Sequence, residues 1–150
     1  YAYKLDWLRK VTAFIKKDLK KHPNYVVLGD FNIAPEDRDV CDPTAWHEKI
    51  LCSNKERGAL QTILKLGLVD TFRLFEQEEN SFSWWDYRAA AFRRNLGLRI
   101  DLILASAPLE ARCSFSAIDK MPRGNERPSD HAPVTAEFVA KMNDIVGKSH

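Results

Sequence analysis

Tyr25-Val26-Val27-Leu28-Gly29-Asp30-Phe31-Asn32 is the stretch on which the fold turns. Its apolar, β-branched run reads as a short buried strand stopped by Gly29, with Asp30 at the carboxyl end. Upstream, Leu5, Leu8, Val11, Phe14 or Ile15, and Leu19 recur every three to four residues, which predicts an amphipathic helix ending before Pro23. Its basic residues Lys4, Arg9, Lys10, Lys16, Lys17, Lys20 and Lys21 read as a solvated face and carry no functional weight alone. Downstream, Asp42-Pro43 suits the start of a short helix. Ser53-Asn54-Lys55-Glu56 is a capping box opening a second amphipathic helix that stops at Gly67. Leu68–Phe75 fits either a short helix or a loop. Ser81–Trp85, Arg99–Ala105 and Val134–Val139 read as strands, with Pro122–Asp130 a polar loop and Lys141–His150 a frayed tail. Alternating helices and strands make the chain an α/β (α+β) protein.

Composition sets outer bounds. At 150 residues, with 45% hydrophobic and 29% charged side chains, the chain can bury a real core, which excludes a disordered or collagen-like class. The net charge of +2 is too small to announce nucleic-acid binding, so any basic surface must be local. No apolar run approaches the roughly 18 to 20 residues that span a bilayer, so no membrane contact is expected. Cys41, Cys52 and Cys113 form no C-x-x-C pair and read as reduced thiols of a cytoplasmic protein. The first residue is Tyr1, not Met, and the chain reads as a fragment or processed product.

Acids placed against the apolar pattern mark the chemistry. If the backbone stays extended after Gly29, Asp30 and Asn32 point the same way, setting a carboxylate beside an amide that can hold an attacking water. The alternative is a turn in which both bond their own backbone. Asp101 stands alone in the apolar run Ile100-Asp101-Leu102-Ile103-Leu104, where desolvation demands a partner. Arg99 is expected to face away from it. Ser129-Asp130-His131-Ala132-Pro133 supplies a candidate in His131, whose bland reading is a satisfied core histidine.

Three of these segments, Gly29-Asp30-Phe31-Asn32, Gly97-Leu98-Arg99-Ile100-Asp101 and Ser129-Asp130-His131-Ala132-Pro133, occur in order and at fitting separations. With Gly67-Leu68-Val69-Asp70-Thr71-Phe72-Arg73 and Phe82-Ser83-Trp84-Trp85-Asp86-Tyr87-Arg88, they resemble the C-terminal part of the exonuclease III family of abasic-site endonucleases. The resemblance runs from about Tyr1 to Val139. It implies half of a four-layer αββα sandwich with mixed β-sheets, residues 1–139 forming the C-terminal part of the nuclease domain and 140–150 a tail.

The resemblance also implies roles. Asp30 would orient or deprotonate the water attacking the phosphorus 5′ to an abasic sugar, with Asn32 positioning water and phosphate. His131 would donate to a phosphate oxygen, and Asp101 would hold its other ring nitrogen. A nearby carboxylate favours the imidazolium form, so His131 is expected to stay protonated where Asp30 is ionised. Asp130, with Asp30 and Asn32, would lie at a divalent metal, Mg²⁺ by expectation and Mn²⁺ by the same oxygen chemistry. Trp84, Leu98 and Ile100 would line a small apolar pocket for the base-free sugar, leaving Trp85 to the core, and Arg88, Arg93 and Arg94 would contact phosphates of double-stranded DNA bearing an abasic site or a 3′ end.

The family's N-terminal half carries an Asn on its first strand, a Glu that is the main metal ligand and a Tyr in a Tyr-x-Pro-Asn-like segment; none has a counterpart here. The chain alone is therefore expected to be weak or inactive, with an exposed inner sheet face that self-associates or pairs with the missing half. Two other readings share the residues: a phosphatase or phosphodiesterase of the same superfamily acting on lipid or small phosphates, and a non-catalytic DNA- or partner-binding fragment.

Overall fold

A computed structural model describes residues 1–124 and 129–140. The helix α1 runs Ala2–Leu19 and β1 follows at Val26–Asp30. The short α2 covers Pro43–Trp46 and α3 covers Asn54–Leu64. Both capping expectations hold: Asp42 accepts from the Ala45 N–H at 3.1 Å, and Ser53 and Glu56 cap each other's backbone, a device worth about 1 kcal/mol. The strands β2 (Leu68–Asp70), β3 (Trp84–Trp85), β4 (Gly97–Leu98) and β5 (Asp101–Ser106) follow, then α4 (Ala107–Glu110), β6 (Cys113–Ile118) and β7 (Val134–Phe138).

The central sheet has the order β1-β5-β2. Helices α1 and α3 cover one face, where Leu8, Ile15, Leu60 and Ile63 meet Leu68, Leu102 and Leu104 of the strands. Each such side chain, fully buried, contributes about 1.5–3 kcal/mol. The other face, bearing Val26, Leu28 and Asp30, lies open, and Leu28 is 67% exposed. The strand read as buried is covered on one face alone, where Val27 meets the helices, and the inner sheet face expected to be exposed is the open one. Every strand pairing among the described residues is antiparallel, and β5 runs between two strands that both oppose it.

Further differences are local. Leu68–Phe75 is neither helix nor loop but β2 followed by a 3₁₀ turn at Thr71–Leu74. The strand expected over Ser81–Trp85 shrinks to Trp84–Trp85, paired with Gly97–Leu98. A side chain on Gly97 would meet the Trp85 indole nitrogen at 2.5 Å, so only glycine admits that close crossing. The pairing of β6 with β7 was not foreseen at all. Lys141–His150 and residues 125–128 of the polar loop lie outside the described residues. Cys41, Cys52 and Cys113 are all free, and burial pushes the Cys52 thiol up to about 11, as befits a packing residue. No helix among the described residues is long and apolar enough to cross a membrane.

Candidate active site

The register of β1 on β5 sets Asp30 directly opposite Asp101 on the open face of the sheet. Two carboxylates opposed across strands repel, so the pair needs a cation or donor between them. His131 supplies it. Its Nδ1 lies 2.9 Å from Asp101 Oδ2, and its Nε2 lies 3.7 Å from Asp30 Oδ2 and 3.9 Å from Asp130 Oδ1. The loop carrying His131 is bound to β3 by its backbone: Ala132 N–H donates to Ser83 C=O at 2.7 Å, and Trp85 N–H to Asp130 C=O at 3.1 Å. Ser129 adds a local bond, its hydroxyl accepting the His131 N–H at 3.1 Å.

Burial would lower the His131 pKa, but the hydrogen bond to Asp101 and the charges of Asp101, Asp30 and Asp130 outweigh it and hold the imidazole protonated above the usual histidine range. Burial pushes the Asp101 carboxyl up, against the pull of His131 and the Ser83 hydroxyl. Ser83 is fully buried and was missed by sequence reasoning. Its Oγ accepts the N–H groups of Ile100 and Asp101 at 3.0 and 3.1 Å, so one hydroxyl anchors both backbone and carboxylate of Asp101. A serine at an inward position of the Ser81–Trp85 alternation was the available signal.

Asn32 departs from expectation. Its φ of 53° is left-handed, so the backbone does not continue extended, and Asp30 Oδ1 accepts the Asn32 N–H at 2.8 Å. The turn alternative is the one the chain adopts, because Asp and Asn satisfy that conformation locally. One oxygen of Asp30 is spent on the turn; Oδ2 faces His131. Asn32 itself is exposed beside it.

Arg99, expected to face away from Asp101, lines the same small cavity as Asp101. Residues two apart on a strand share a face, which the expectation overlooked. Arg99 is nonetheless not the partner of Asp101: it is 1% exposed and bound to Asp39 at 2.7 Å and Asp70 at 2.6 Å.

Trp84, Leu98 and Ile100 do meet, and Trp85 is wholly buried. Leu98 and Ile100, at 0% and 2% exposure, pack shut against Val40, Cys52 and Trp84. The expected open pocket is therefore corrected to a closed apolar cluster, filled from the 40–52 segment that the strand pattern could not place. Trp84 reaches the site differently, its indole N–H donating to Asp130 Oδ2 at 3.1 Å. Arg88, Arg93 and Arg94 are exposed on the loop after β3, a loop tied down by the Trp85 indole bond to Asn95 at 3.0 Å. Arg88 is gripped by Asp86 at 2.8 Å, which holds that carboxyl at about 2, and Arg94 donates to Ala89 C=O at 3.3 Å.

Asp30, Asp101 and His131 each offer a ligand atom within 4.8 Å of the others. Because His131 and Asp101 bond each other, the oxygens of Asp30 and Asp130, with exposed Asn32, are those left to a hard cation. The donor set fits a metal bound partly by water and substrate.

The sequence pattern of the endonuclease/exonuclease/phosphatase family matches residues 1–131. The chain belongs to that family. It is 39% identical to exodeoxyribonuclease III of Haemophilus influenzae over 132 residues, 83% of this chain and 49% of the relative. A Neisseria 3′ phosphatase solved with a product DNA hairpin superposes with a TM-score of 0.90 at 48% identity, covering 93% of this chain and 54% of that one. An AP endonuclease from Archaeoglobus fulgidus gives 0.87 at 38% identity, covering 93% and 55%. The chain spans about half the length of these relatives. Their agreement bears out the α/β fold and the resemblance read from the motifs.

Proposed function

We propose that the protein containing this chain is a DNA repair nuclease that hydrolyses the phosphodiester 5′ to an abasic site. The observation that carries the chemistry is His131 held between Asp101 at 2.9 Å and Asp30 at 3.7 Å. At 3.7 Å the Nε2–H of His131 is not committed to Asp30 and is left to donate to a phosphate oxygen beside it. Asp30 Oδ2 takes the proton of the attacking water or aligns it, with Asn32 orienting the phosphate. His131 donates from Nε2 to a phosphate oxygen that gains charge in the transition state. Asp101, anchored by Ser83, fixes the imidazole and its charge. Asp30, Asp130 and Asn32 would hold Mg²⁺, or Mn²⁺ on the same oxygens, which when bound stabilises negative charge on the leaving oxygen. The DNA substrate is supported by the relatives, whose names describe nucleases and 3′ processing of DNA.

A second reading, removal of phosphate or nucleotides from a DNA 3′ end, is favoured by two observations. Leu98 and Ile100 are closed, leaving no open apolar niche at Trp84 among the described residues, and the relative at 48% identity is described as a 3′ phosphatase. The deciding experiment offers the full-length protein a duplex with one abasic analogue and another with a 3′-phosphate, each with Mg²⁺ or chelator. Metal-dependent incision at the analogue upholds the first reading; phosphate release alone upholds the second. Hydrolysis of small or lipid phosphates with neither duplex touched overturns both. The 150-residue chain run alongside is expected to be weak or inactive, since it spans half of its relatives; full incision by it overturns that expectation.

A further inference from the structure

Lys4 belongs to the basic face of α1 that sequence alone assigns to solvent, yet its side chain is only 18% exposed. Its ammonium donates to Glu56, whose side chain is fully buried, and to the backbone carbonyl of Asn32. Glu56 also accepts from Leu51 N–H at 3.1 Å, Ser53 N–H at 3.3 Å and the Ser53 hydroxyl at 2.7 Å. A buried carboxylate so fully satisfied is a fixed anchor, since moving it strips bonds that water does not replace. Two left-handed, non-glycine residues converge on this pair: Asn32 through its carbonyl and Leu51, with φ of 78°, through its N–H. Such conformations persist where the surroundings over-determine them.

The consequence runs into the site. The Asn32 carbonyl is bound by Lys4 and its N–H is bound by Asp30 Oδ1 at 2.8 Å. Both polar groups of the Asn32 main chain are therefore committed, and the direction of Asp30 Oδ2 follows from that commitment. The packing of α1 on α3 does not need the pair, because Leu8, Ile15, Leu60 and Ile63 already supply it. We propose that Lys4, seated on Glu56, is a positioning residue for hydrolysis: it holds the Asn32 turn, and through it the free oxygen of Asp30, in the direction of His131. The proposal rests on the nuclease reading above for its kinetic consequence but not for its geometry.

The test uses the full-length protein with Lys4→Met, Lys4→Arg and the double variant Lys4→Gln/Glu56→Gln. The double variant leaves no unpaired buried charge and guards against a mere folding failure. Misplacing Asp30 is expected to lower kcat about 10- to 100-fold in Lys4→Met and in the double variant, with KM changed little and the melting temperature of the double variant kept. Lys4→Arg restores most of the rate. At one fixed pH and without metal, the Asn32 amide and Asp30 carboxyl NMR resonances shift in the first and third variants and return in Lys4→Arg. A kcat within about twofold of the parent in Lys4→Met overturns the proposal, as do unmoved Asn32 and Asp30 resonances. Should the parent cleave no DNA, the nuclease reading fails by itself and the resonances alone decide the positioning role.

Discussion

Arg99 and Asp101 lie two residues apart on one run of chain and end in two different charged clusters. Arg99 is sealed: all three guanidinium nitrogens donate to Asp39 or Asp70, Arg73 joins Asp39, and the Arg99 guanidinium stacks 4.8 Å over the Phe72 ring. The cluster around Asp101 is open, with His131, Asp30 and Asp130 side chains 31%, 36% and 37% exposed. His131 Nε2 sits 3.7 and 3.9 Å from its carboxylates, beyond hydrogen-bond range. A buried guanidinium with every nitrogen committed, as in Arg99, has no donor to lend and serves as architecture. A half-hydrated one with an uncommitted donor can admit water, phosphate and cation.

If that contrast is right, His131→Ala should separate activity from stability. Hydrolysis by the full-length protein falls by about 10²–10⁴-fold, while the denaturant midpoint falls by less than in the Asp39 variant below, because the carboxylates left without His131 border water. A large loss of stability with modest loss of rate would reverse the roles assigned to the two clusters. Asp39→Ala should do the opposite, leaving Arg99 and Arg73 short of a carboxylate inside the protein. Breaking one partner of such a network costs about 3–5 kcal/mol, read as a shift in the urea unfolding midpoint.

Asp101→Asn sharpens the comparison by charge. It removes the carboxylate bond and charge that raise the His131 pKa and leaves the burial that lowers it. The imidazole NMR titration should therefore shift to lower pH, and an unchanged midpoint would dismiss Asp101 as its electrostatic partner. Glu56 offers the corresponding test away from the site. Burial would raise its pKa, but the Lys4 and Ser53 bonds outweigh that and lower it. A depressed acid stabilises the fold above its unfolded pKa and loses that contribution as pH falls through the folded value. Glu56→Gln should flatten the stability profile in that acid window and leave its shape near neutrality unchanged. The smallest effect belongs to Arg88→Ala: the Arg88 side chain is 88% exposed and paired with surface Asp86, so stability should stay within about 0.5 kcal/mol. Any fall in DNA affinity that steepens with salt removal would mark it as a phosphate contact.

Much of this was legible along the chain. The caps at Asp42 and Ser53, the α1 periodicity and the lone acid at Asp101 are short-range facts of propensity and desolvation. Asp101 and His131 were marked by their need for a partner, and it was the resemblance to the exonuclease III family that joined Asp30 and Asp130 to them as one expected site. What failed was what depends on distant chain. Leu98 and Ile100 were expected to line an opening, but Val40 and Cys52, which close it, follow a segment without a readable pattern. Ser83 and Lys4 were passed over because a serine in a strand and a lysine on a basic helix face are ordinary until their partners are seen.

The residues themselves therefore determined the long helices, their caps and the acid that needs a partner, since these are set by local backbone preference and by the intolerance of apolar surroundings for an unpaired charge. Tertiary structure alone decided how the charged side chains face one another. The Asp30–Asp101 register, the 60-residue reach of Arg99 to Asp39 and the seating of Lys4 on Glu56 are contacts between remote segments. Packing of the α1 and α3 layer on β1 and β5 brings those segments together, and only then does burial settle which charge pairs with which.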